Sequence, residues 1–154
     1  MLDPVTGGPY MDSSFQTSVD GIFAAGNVVH VYDLVDWVTE AGYIAGKSAA
    51  LYAQGKLDRP DHPIKVSPGE NVRYAVPQKI DPSALLQDAI LLQLRAIHPI
   101  ESPVWVEAVA DEGRIIRKAF PYARPGEMIS LNLKPDLADK LKSTNEIKIN
   151  IIER

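Results

Sequence analysis

Residues 17–27, TSVDGIFAAGN, constrain the fold most, because a short apolar run there leads through a glycine towards a long helical segment. The run IFAA, residues 22–25, is continuously apolar, which is typical of a strand buried on both faces. Gly26 then permits a turn and the close approach of a ligand, because glycine has no Cβ. The Asn27 amide suits a ligand hydroxyl. We therefore predict a crevice at the carboxyl end of this strand, where open α/β sheets bind ligands.

The residues that follow predict one long helix with a stripe of small side chains. Asp33 is the predicted N-cap, and Asp36 takes the role of a capping-box acid. The run LVDWVTEAGYIAGKSAALYAQG starts at Leu34, brings Ala and Gly to one stripe and ends at Gly55, a typical C′ residue. We expect the stripe to pack closely against a sheet. Asp33 and Asp36 are also a candidate carboxylate pair for proton transfer, although capping and the helix dipole account for both.

The string TSVDGIFAAGN closely resembles the second flavin-binding motif of the FAD-dependent pyridine nucleotide-disulfide oxidoreductase superfamily, which includes thioredoxin reductase-like enzymes. In that motif a final Asp binds the ribityl chain of FAD, and the next helix points its N-terminus at the pyrimidine edge of the flavin. Asn27 stands at the Asp position, where it keeps an acceptor but lacks the charge. VTEAG, residues 38–42, matches the start of the family's last helix. The resemblance implies these cofactor-binding residues: Gly26, Asn27, Val28, Asp36, Trp37 and Val38.

A longer string, GNVVHVYDLVDWVTEAG, with LDPVTGGP before it, is similar to a narrower group of flavoproteins described as glycerol-3-phosphate dehydrogenase-like or sarcosine oxidase-like. In that group a small β-rich C-terminal domain follows the FAD fold. The resemblance implies FAD as cofactor, NAD(P) as a candidate second cofactor, and hydride transfer between the flavin and a small organic substrate or a nicotinamide.

A complete FAD fold also needs a Gly-x-Gly-x-x-Gly turn, which none of the ten glycines forms. We therefore expect the C-terminal part of a flavin-dependent oxidoreductase. The expected partner is the remainder of the FAD-binding domain or a partner subunit. Without that partner, we expect the chain to bind FAD weakly or not at all and to be inactive.

Charge and composition change together near residue 58. Residues 1–55 carry one basic and six acidic side chains, whereas residues 56–154 carry fifteen basic and fourteen acidic ones. The stretch LDRPDHPIKVSPGE between them is rich in proline, which favours an extended connection. We predict a partial FAD-binding domain at residues 1–57, a linker at 58–66 and a second domain at 67–154.

The second domain is predicted to be β-rich, because short alternating segments replace the helical period. Strands are predicted at residues 72–76, 89–97, 104–109, 114–122, 128–133 and 146–152, with a turn at Glu112 and Gly113 and a short helical turn at 135–141. The predicted fold class is therefore α+β. It joins a strand–helix piece of a Rossmann-like FAD-binding domain to an antiparallel β-sandwich of immunoglobulin-like type.

Composition argues against several classes of function. The absence of cysteine excludes disulfides, thiolate metal sites and a redox-active CxxC pair in this chain. A net charge of −4 argues against nucleic acid as a partner. His62 and His98 share no ligand spacing, so no metal site is expected. No apolar run is long enough to span a bilayer and no signal peptide is recognisable, so we expect a cytoplasmic chain.

Several alternatives stay open. His30 either faces a flavin or substrate or is an ordinary loop residue, and Trp37 either stacks near the flavin or packs in a core. Trp105 is predicted in the sandwich core, and the basic residues around Arg117 are predicted to be solvated. The alternative to an oxidoreductase fragment is a non-catalytic interaction module that docks a neighbouring subunit, and homo-oligomers are compatible with both. The substrate and the catalytic residues are not identified by the sequence.

Overall fold

The computed structural model describes residues 1–57, 59–111 and 113–154 and shows an α+β chain built mainly from two open sheets. The helices are α1 (Val35–Ala53), α2 (Pro82–Leu85) and α3 (Ala138–Leu141). The strands are β1 (Ile64–Pro68), β2 (Val72–Val76), β3 (Lys79–Ile80), β4 (Ile90–Ala96), β5 (Val104–Ala110), β6 (Gly113–Phe120), β7 (Ile129–Leu133) and β8 (Glu146–Glu153). Two predictions, the start of the linker at Asp58 and the turn at Glu112, lie outside the described residues.

The predicted long helix is confirmed as α1. Its buried residues lie on one stripe of small side chains that faces the rest of the protein: Ala41, Ala45 and Ser48. Its N-cap is Leu34, which makes no side-chain capping hydrogen bond. The prediction that Asp33 caps the helix is therefore wrong, because its carboxylate pairs with Arg95 instead. None of the helices formed by the described residues is sufficiently long and apolar to cross a membrane.

The C-terminal end of α1 confirms the prediction for Gly55. Gly55 has φ +66°, a left-handed conformation that favours glycine. Its N–H donates to Tyr52 O at 2.9 Å, and the N–H of Lys56 donates to Leu51 O at 2.9 Å. This pair of hydrogen bonds is a Schellman motif, which satisfies the last carbonyls of the helix.

The six predicted strands are present as β2 and β4–β8. One sheet has the order β3-β1-β8-β5-β6 and the other the order β2-β4-β7. The prediction of antiparallel pairing is wrong for β1 and β8, which run parallel with Val66 opposite Ile147. Neither β1 nor β3 was predicted, and β1 begins at Ile64, inside the predicted linker. Strand β1 is a short alternating segment in which Ile64 and Val66 are buried. It was not predicted because the prolines around it favour an extended connection.

Side chains from both sheets meet in one apolar core. Strand β8 alternates as predicted, whereas β4 is buried on both faces, because Gln93 and Arg95 on its other face are also covered. The residues of the two strands that face the core are at most 1% exposed: Leu92, Leu94, Ala96, Ile147, Ile149 and Ile151. The short helical turn predicted at residues 135–141 is present, and it buries Leu137 and Leu141 in the same core. This core holds the β-rich part of the chain together through non-directional burial of apolar area.

A second, smaller cluster joins the N-terminal part to the outer face of β2. It contains Met11, Phe15, Val29, Tyr32, Ala41, Ala45, Tyr74 and Val76. A register irregularity between Val72 and Tyr74 lets β2 serve both clusters, because Val72 and Ala75 face the main core while Tyr74 and Val76 face the smaller one. The small stripe of α1 therefore packs over β2.

The buried strand predicted at residues 22–25 is not formed. Ile22 is 53% exposed, and these residues make a single isolated bridge, between Phe23 and Gln16. A continuous apolar run becomes a strand buried on both faces only when neighbouring strands and a covering layer are present. The described residues place no such layer over Ile22.

Candidate functional site

The turn that resembles a flavin motif is a short 3₁₀ helix, Gly26–Val28, that follows extended Ala25. Gly26 is buried and has φ +74°, so glycine suits the position for conformational reasons. The N–H of Val29 donates to Gly26 O at 2.9 Å and closes the turn. A Cβ placed on Gly26 would lie 3.4 Å from Cγ1 of Val38, so the turn and the start of α1 are neighbours.

Asn27 lies at the surface of this turn. Its Oδ1 accepts a hydrogen bond from the backbone N–H of Tyr32 at 3.2 Å, which shapes the loop before α1. Its Nδ2 makes no hydrogen bond within the part of the chain that the structure describes. Val28 beside it is 62% exposed. The turn therefore presents an amide donor and an apolar side chain to the outside.

The first turn of α1 is also open. Because the N-cap Leu34 provides no side-chain acceptor, the N–H groups of the first turn remain available to an external acceptor. Asp36 is exposed in this first turn, and Val38 is half-buried beside Gly26. Trp37 is half-buried and lines a cavity between α1 and the β-rich part. Four of the six predicted cofactor residues thus lie together at the open turn: Gly26, Asn27, Val28 and Val38. Asp36 lies beside Thr39 and Glu40 on another side of α1, and Trp37 lines the cavity.

Exposed large apolar residues concentrate in the N-terminal part of the chain. Of the twelve among the described residues, ten lie within residues 1–43. Those in the loop and in the start of α1 are Val28, Val31, Leu34 and Val35, with exposed fractions of 58–75%. These four exposed residues within 28–35 make this surface a candidate for contact with another molecule.

A buried polar network, which the sequence did not reveal, connects this loop to the sheet. Arg95 Nε donates to Tyr74 Oη at 3.1 Å, Tyr74 Oη lies 3.4 Å from His30 Nδ1, and His30 Nε2 lies 3.3 Å from Gln93 Oε1. Because the amide oxygen of Gln93 only accepts, Nε2 of the neutral His30 carries the proton and Nδ1 accepts from Tyr74. We call these residues, together with Asp33, the His30 network.

Asp33 anchors the other end of the His30 network. Its carboxylate pairs with the Arg95 guanidinium, and its second oxygen accepts from the N–H of Met128 at 2.6 Å. Arg95 also donates to Val31 O at 3.0 Å. Asp33 is therefore a structural ion-pair partner, and the structure gives it no pairing with Asp36 of the kind that proton transfer requires.

His30 is 3% exposed, so it is not an ordinary surface residue. Burial lowers the pKa of His30 to about 4, and Arg95 nearby acts in the same direction, while the hydrogen bond to Gln93 and the charge of Asp33 partly oppose the shift. The Tyr32 ring lies 4.3 Å from the His30 ring, and burial raises the pKa of Tyr32 to about 12. Tyr32 Oη is the one buried side-chain polar atom of the described residues without a hydrogen-bond partner.

The cavity beside Trp37 has a volume of about 220 Å³. Its walls come from α1, from the loop around Phe15, and from the β2 and β4 strands of the smaller sheet. Gln93 of the His30 network also lines it. Sequence reasoning did not find this cavity, because its walls come from segments far apart in the chain.

Trp105 lies outside the core, which corrects the prediction for it. It is half-buried on β5, with the guanidinium groups of Arg117 and Arg154 over its ring at 5.2 and 4.8 Å. Arg117 also pairs with Glu107 at 2.8 Å. The basic residues around Arg117 are exposed, as predicted, and Arg117 itself also takes part in stacking and an ion pair.

Comparisons with family models, with curated proteins and with solved structures found no match. Among the described residues there is also no group of three or more His, Cys, Asp or Glu side chains placed to hold a metal ion.

Proposed function

We propose that this chain supplies one wall of the FAD site of a flavin-dependent oxidoreductase, on the ribityl and pyrimidine side, together with a C-terminal β domain. The observation that carries the proposal is the open turn at Gly26–Val28, which adjoins an uncapped helix N-terminus and is surrounded by exposed apolar residues. A covering partner would account for the exposure of Val28, Val31, Leu34 and Val35 within one short segment.

The donors at this wall suit a flavin. The Asn27 Nδ2 group is available to a ribityl hydroxyl, since Oδ1 is already used by Tyr32. The first-turn N–H groups of α1 suit the pyrimidine oxygens and the negative charge that develops there on reduction. When bound, the flavin supplies the hydride chemistry, and these residues bind and orient it. Asp36 is the unfavourable element, because its carboxylate repels added negative charge near the helix start.

The finer fold assignments belong to the same proposal. Residues 1–57 then correspond to the last strand, turn and helix of a Rossmann-like FAD-binding domain, and residues 67–154 to an immunoglobulin-like sandwich. The long helix over β2 and the two sheets with a shared core support this division. The parallel β1–β8 pair and the irregular segment at residues 22–25 are departures from it.

The alternative is a non-catalytic module that docks a partner subunit through the same exposed apolar residues. The exposure of Val31 and Val35 supports this alternative as much as it supports the flavin wall, because any covering polypeptide would bury them. NAD(P), a small-molecule substrate and a cytoplasmic location are proposed only with the oxidoreductase, on the strength of the resemblance.

Flavin content separates the two functions. The reading frame is extended through any in-frame codons upstream of Met1, and the longer protein is expressed and purified. The oxidoreductase proposal expects a Gly-x-Gly-x-x-Gly turn in the added segment and a yellow protein that releases FAD on denaturation. A longer protein that is colourless and takes up no added FAD would refute it and leave the interaction module.

A variant then tests the named wall. Asn27→Leu in the longer protein removes the donor to the ribityl chain and is expected to weaken FAD retention by roughly 1–3 kcal/mol. Asn132→Leu is the matched control, because Asn132 is exposed on β7, away from the open turn. Equal retention in both variants would show that Asn27 does not contact the flavin.

A further inference from the structure

The cavity beside Trp37 has the size and lining of a small-molecule site. Its volume is about 220 Å³. A cavity of about 150 Å³ is enough for benzene, so this one has room for a single aromatic ring with a short substituent. The walls are mainly apolar, with Trp37 and Ile44 from α1, Phe15 from the N-terminal loop, and Val76 and Ile90 from the sheet. Two aromatic walls favour an aromatic ligand.

Two buried polar residues line this cavity, Gln93 and Ser48, and Gln93 belongs to the His30 network. Gln93 is 5% exposed and lines the wall. Its Oε1 is committed to His30 Nε2, and its Nε2 makes no hydrogen bond to any described residue. Gln93 Nε2 is not a fully buried atom, because Gln93 lines the open cavity, and a ligand oxygen there would give it a direct hydrogen-bond partner. The His30 network holds the amide in this orientation.

The Phe15 wall is held in an unusual backbone conformation. Phe15 has φ +61°, which is rare for a bulky residue. The Asp12 side chain maintains this turn, because its Oδ1 accepts from the N–H groups of Ser14 and Gln16 at 2.9 and 3.1 Å. Strain of this kind recurs where a side chain is held against a ligand.

The charges at the rim argue against an anionic ligand. Glu40, Lys47 and Asp88 line the cavity and are exposed. Two carboxylates and one ammonium group give no net attraction for an anion. The two buried polar residues of the lining, Gln93 and Ser48, are both neutral.

We propose that this cavity binds a small, neutral aromatic molecule whose single acceptor oxygen receives a hydrogen bond from Gln93 Nε2. The site does not depend on the proposed flavin wall, of which only Trp37 lines the cavity. The cavity proposal can therefore be refuted without refuting the oxidoreductase proposal, and the reverse also holds.

Acetophenone and ethylbenzene test the proposal, because they share a ring and a two-carbon substituent but only acetophenone has an acceptor. The chain contains two tryptophans, so the indole N–H signals of Trp37 and Trp105 report on the cavity and on a distant surface in one ¹⁵N-labelled NMR sample. We expect acetophenone to shift the Trp37 signal saturably and leave Trp105 unchanged. Ethylbenzene is expected to bind roughly two- to tenfold more weakly. Benzoate, an anion of similar size, is expected to bind more weakly than acetophenone.

Three variants add to this comparison. Ser48→Leu places a larger side chain in the cavity from α1 and is expected to abolish the Trp37 shift, whereas Ala50→Leu, at an exposed position of the same helix, is expected to keep it. Gln93→Met is expected to lower acetophenone affinity to that of ethylbenzene while leaving ethylbenzene affinity unchanged.

Any of three results would overturn the proposal. The first is a Trp37 signal that does not respond or that shifts together with Trp105. The second is equal affinity for the two ligands in the unsubstituted protein, a comparison that needs no variant to fold. The third is unchanged binding in Ser48→Leu.

Discussion

Acidification is expected to destabilise the folded protein through His30. Burial lowers the pKa of this imidazole to about 4 in the folded state, against an ordinary value of 6.5 when the chain is unfolded. Between these two values the unfolded state binds a proton that the folded state excludes. Stability is therefore intact above the ordinary pKa and falls as the pH drops towards the folded-state pKa. The opposing contribution of the Gln93 hydrogen bond is already part of this shift.

The size of the loss follows from the same two values. A pKa difference of one corresponds to about 1.4 kcal/mol. Between about pH 7 and about pH 4.5, the His30 shift then removes about 2 kcal/mol from the free energy of unfolding. With a urea m-value of about 2 kcal/mol per molar, the unfolding midpoint should fall by about 1 M.

The assay is urea denaturation followed by tryptophan fluorescence at both pH values. His30→Gln removes the titrating group, so its midpoint should fall by much less, whereas His98→Gln, at an exposed position, should fall as the unsubstituted protein does. Burial raises the pKa of Asp12, which acts in the opposite direction but is present in every variant and cancels in the comparison. The reasoning is refuted if His30→Gln loses as much stability on acidification as the unsubstituted protein.

Three further substitutions test the packing, the ion pair and the helix end, each by urea denaturation. Leu94→Ala opens a cavity in the main core and should cost about 3 kcal/mol, while Ile97→Ala at an exposed position should cost under about 0.5 kcal/mol. Arg95→Met leaves the Asp33 carboxylate without its charge partner and should cost about 2 kcal/mol, with faster amide exchange in the loop before α1. Gly55→Ala strains a residue at φ +66° and should cost about 1 kcal/mol. A change near zero in the free energy of unfolding of Leu94→Ala, Arg95→Met or Gly55→Ala would contradict the role given to that residue.

The β-rich part was predictable because its signals are local. Strand β8 shows a strict period of two, and its core residues Ile147, Ile149 and Ile151 all face inward. Gly55 likewise predicted the end of α1, because glycine readily adopts the left-handed conformation that closes a helix. Strand β1 was missed because flanking prolines suggested a connection, and its parallel partner β8 lies at the other end of the chain.

The His30 network and the cavity were not predictable for a different reason. Gln93 and Arg95 occupy the outward positions of β4, where alternation predicts solvent. They are buried because the loop that carries His30 and Asp33 covers that face of the sheet. Their hydrogen bonds to His30 and Asp33 form only when this loop packs on β4, and the two segments are far apart in the sequence. Alternation along β4 therefore could not predict them.

The failure of the strand prediction at residues 22–25 bears on the proposed function. The pattern IFAA specifies burial on both faces, yet Ile22 is 53% exposed and the described residues provide one bridge, from Phe23 to Gln16. The pattern therefore describes an environment that these residues do not create for themselves, whereas the main core is complete within the β-rich part. A flavin-binding sheet would supply that environment, with strands beside Ile22 and a cofactor over the turn at Gly26. The exposure of Ile22 is thus a second observation, beside that of Val31 and Val35, that the proposed flavin-binding partner would explain.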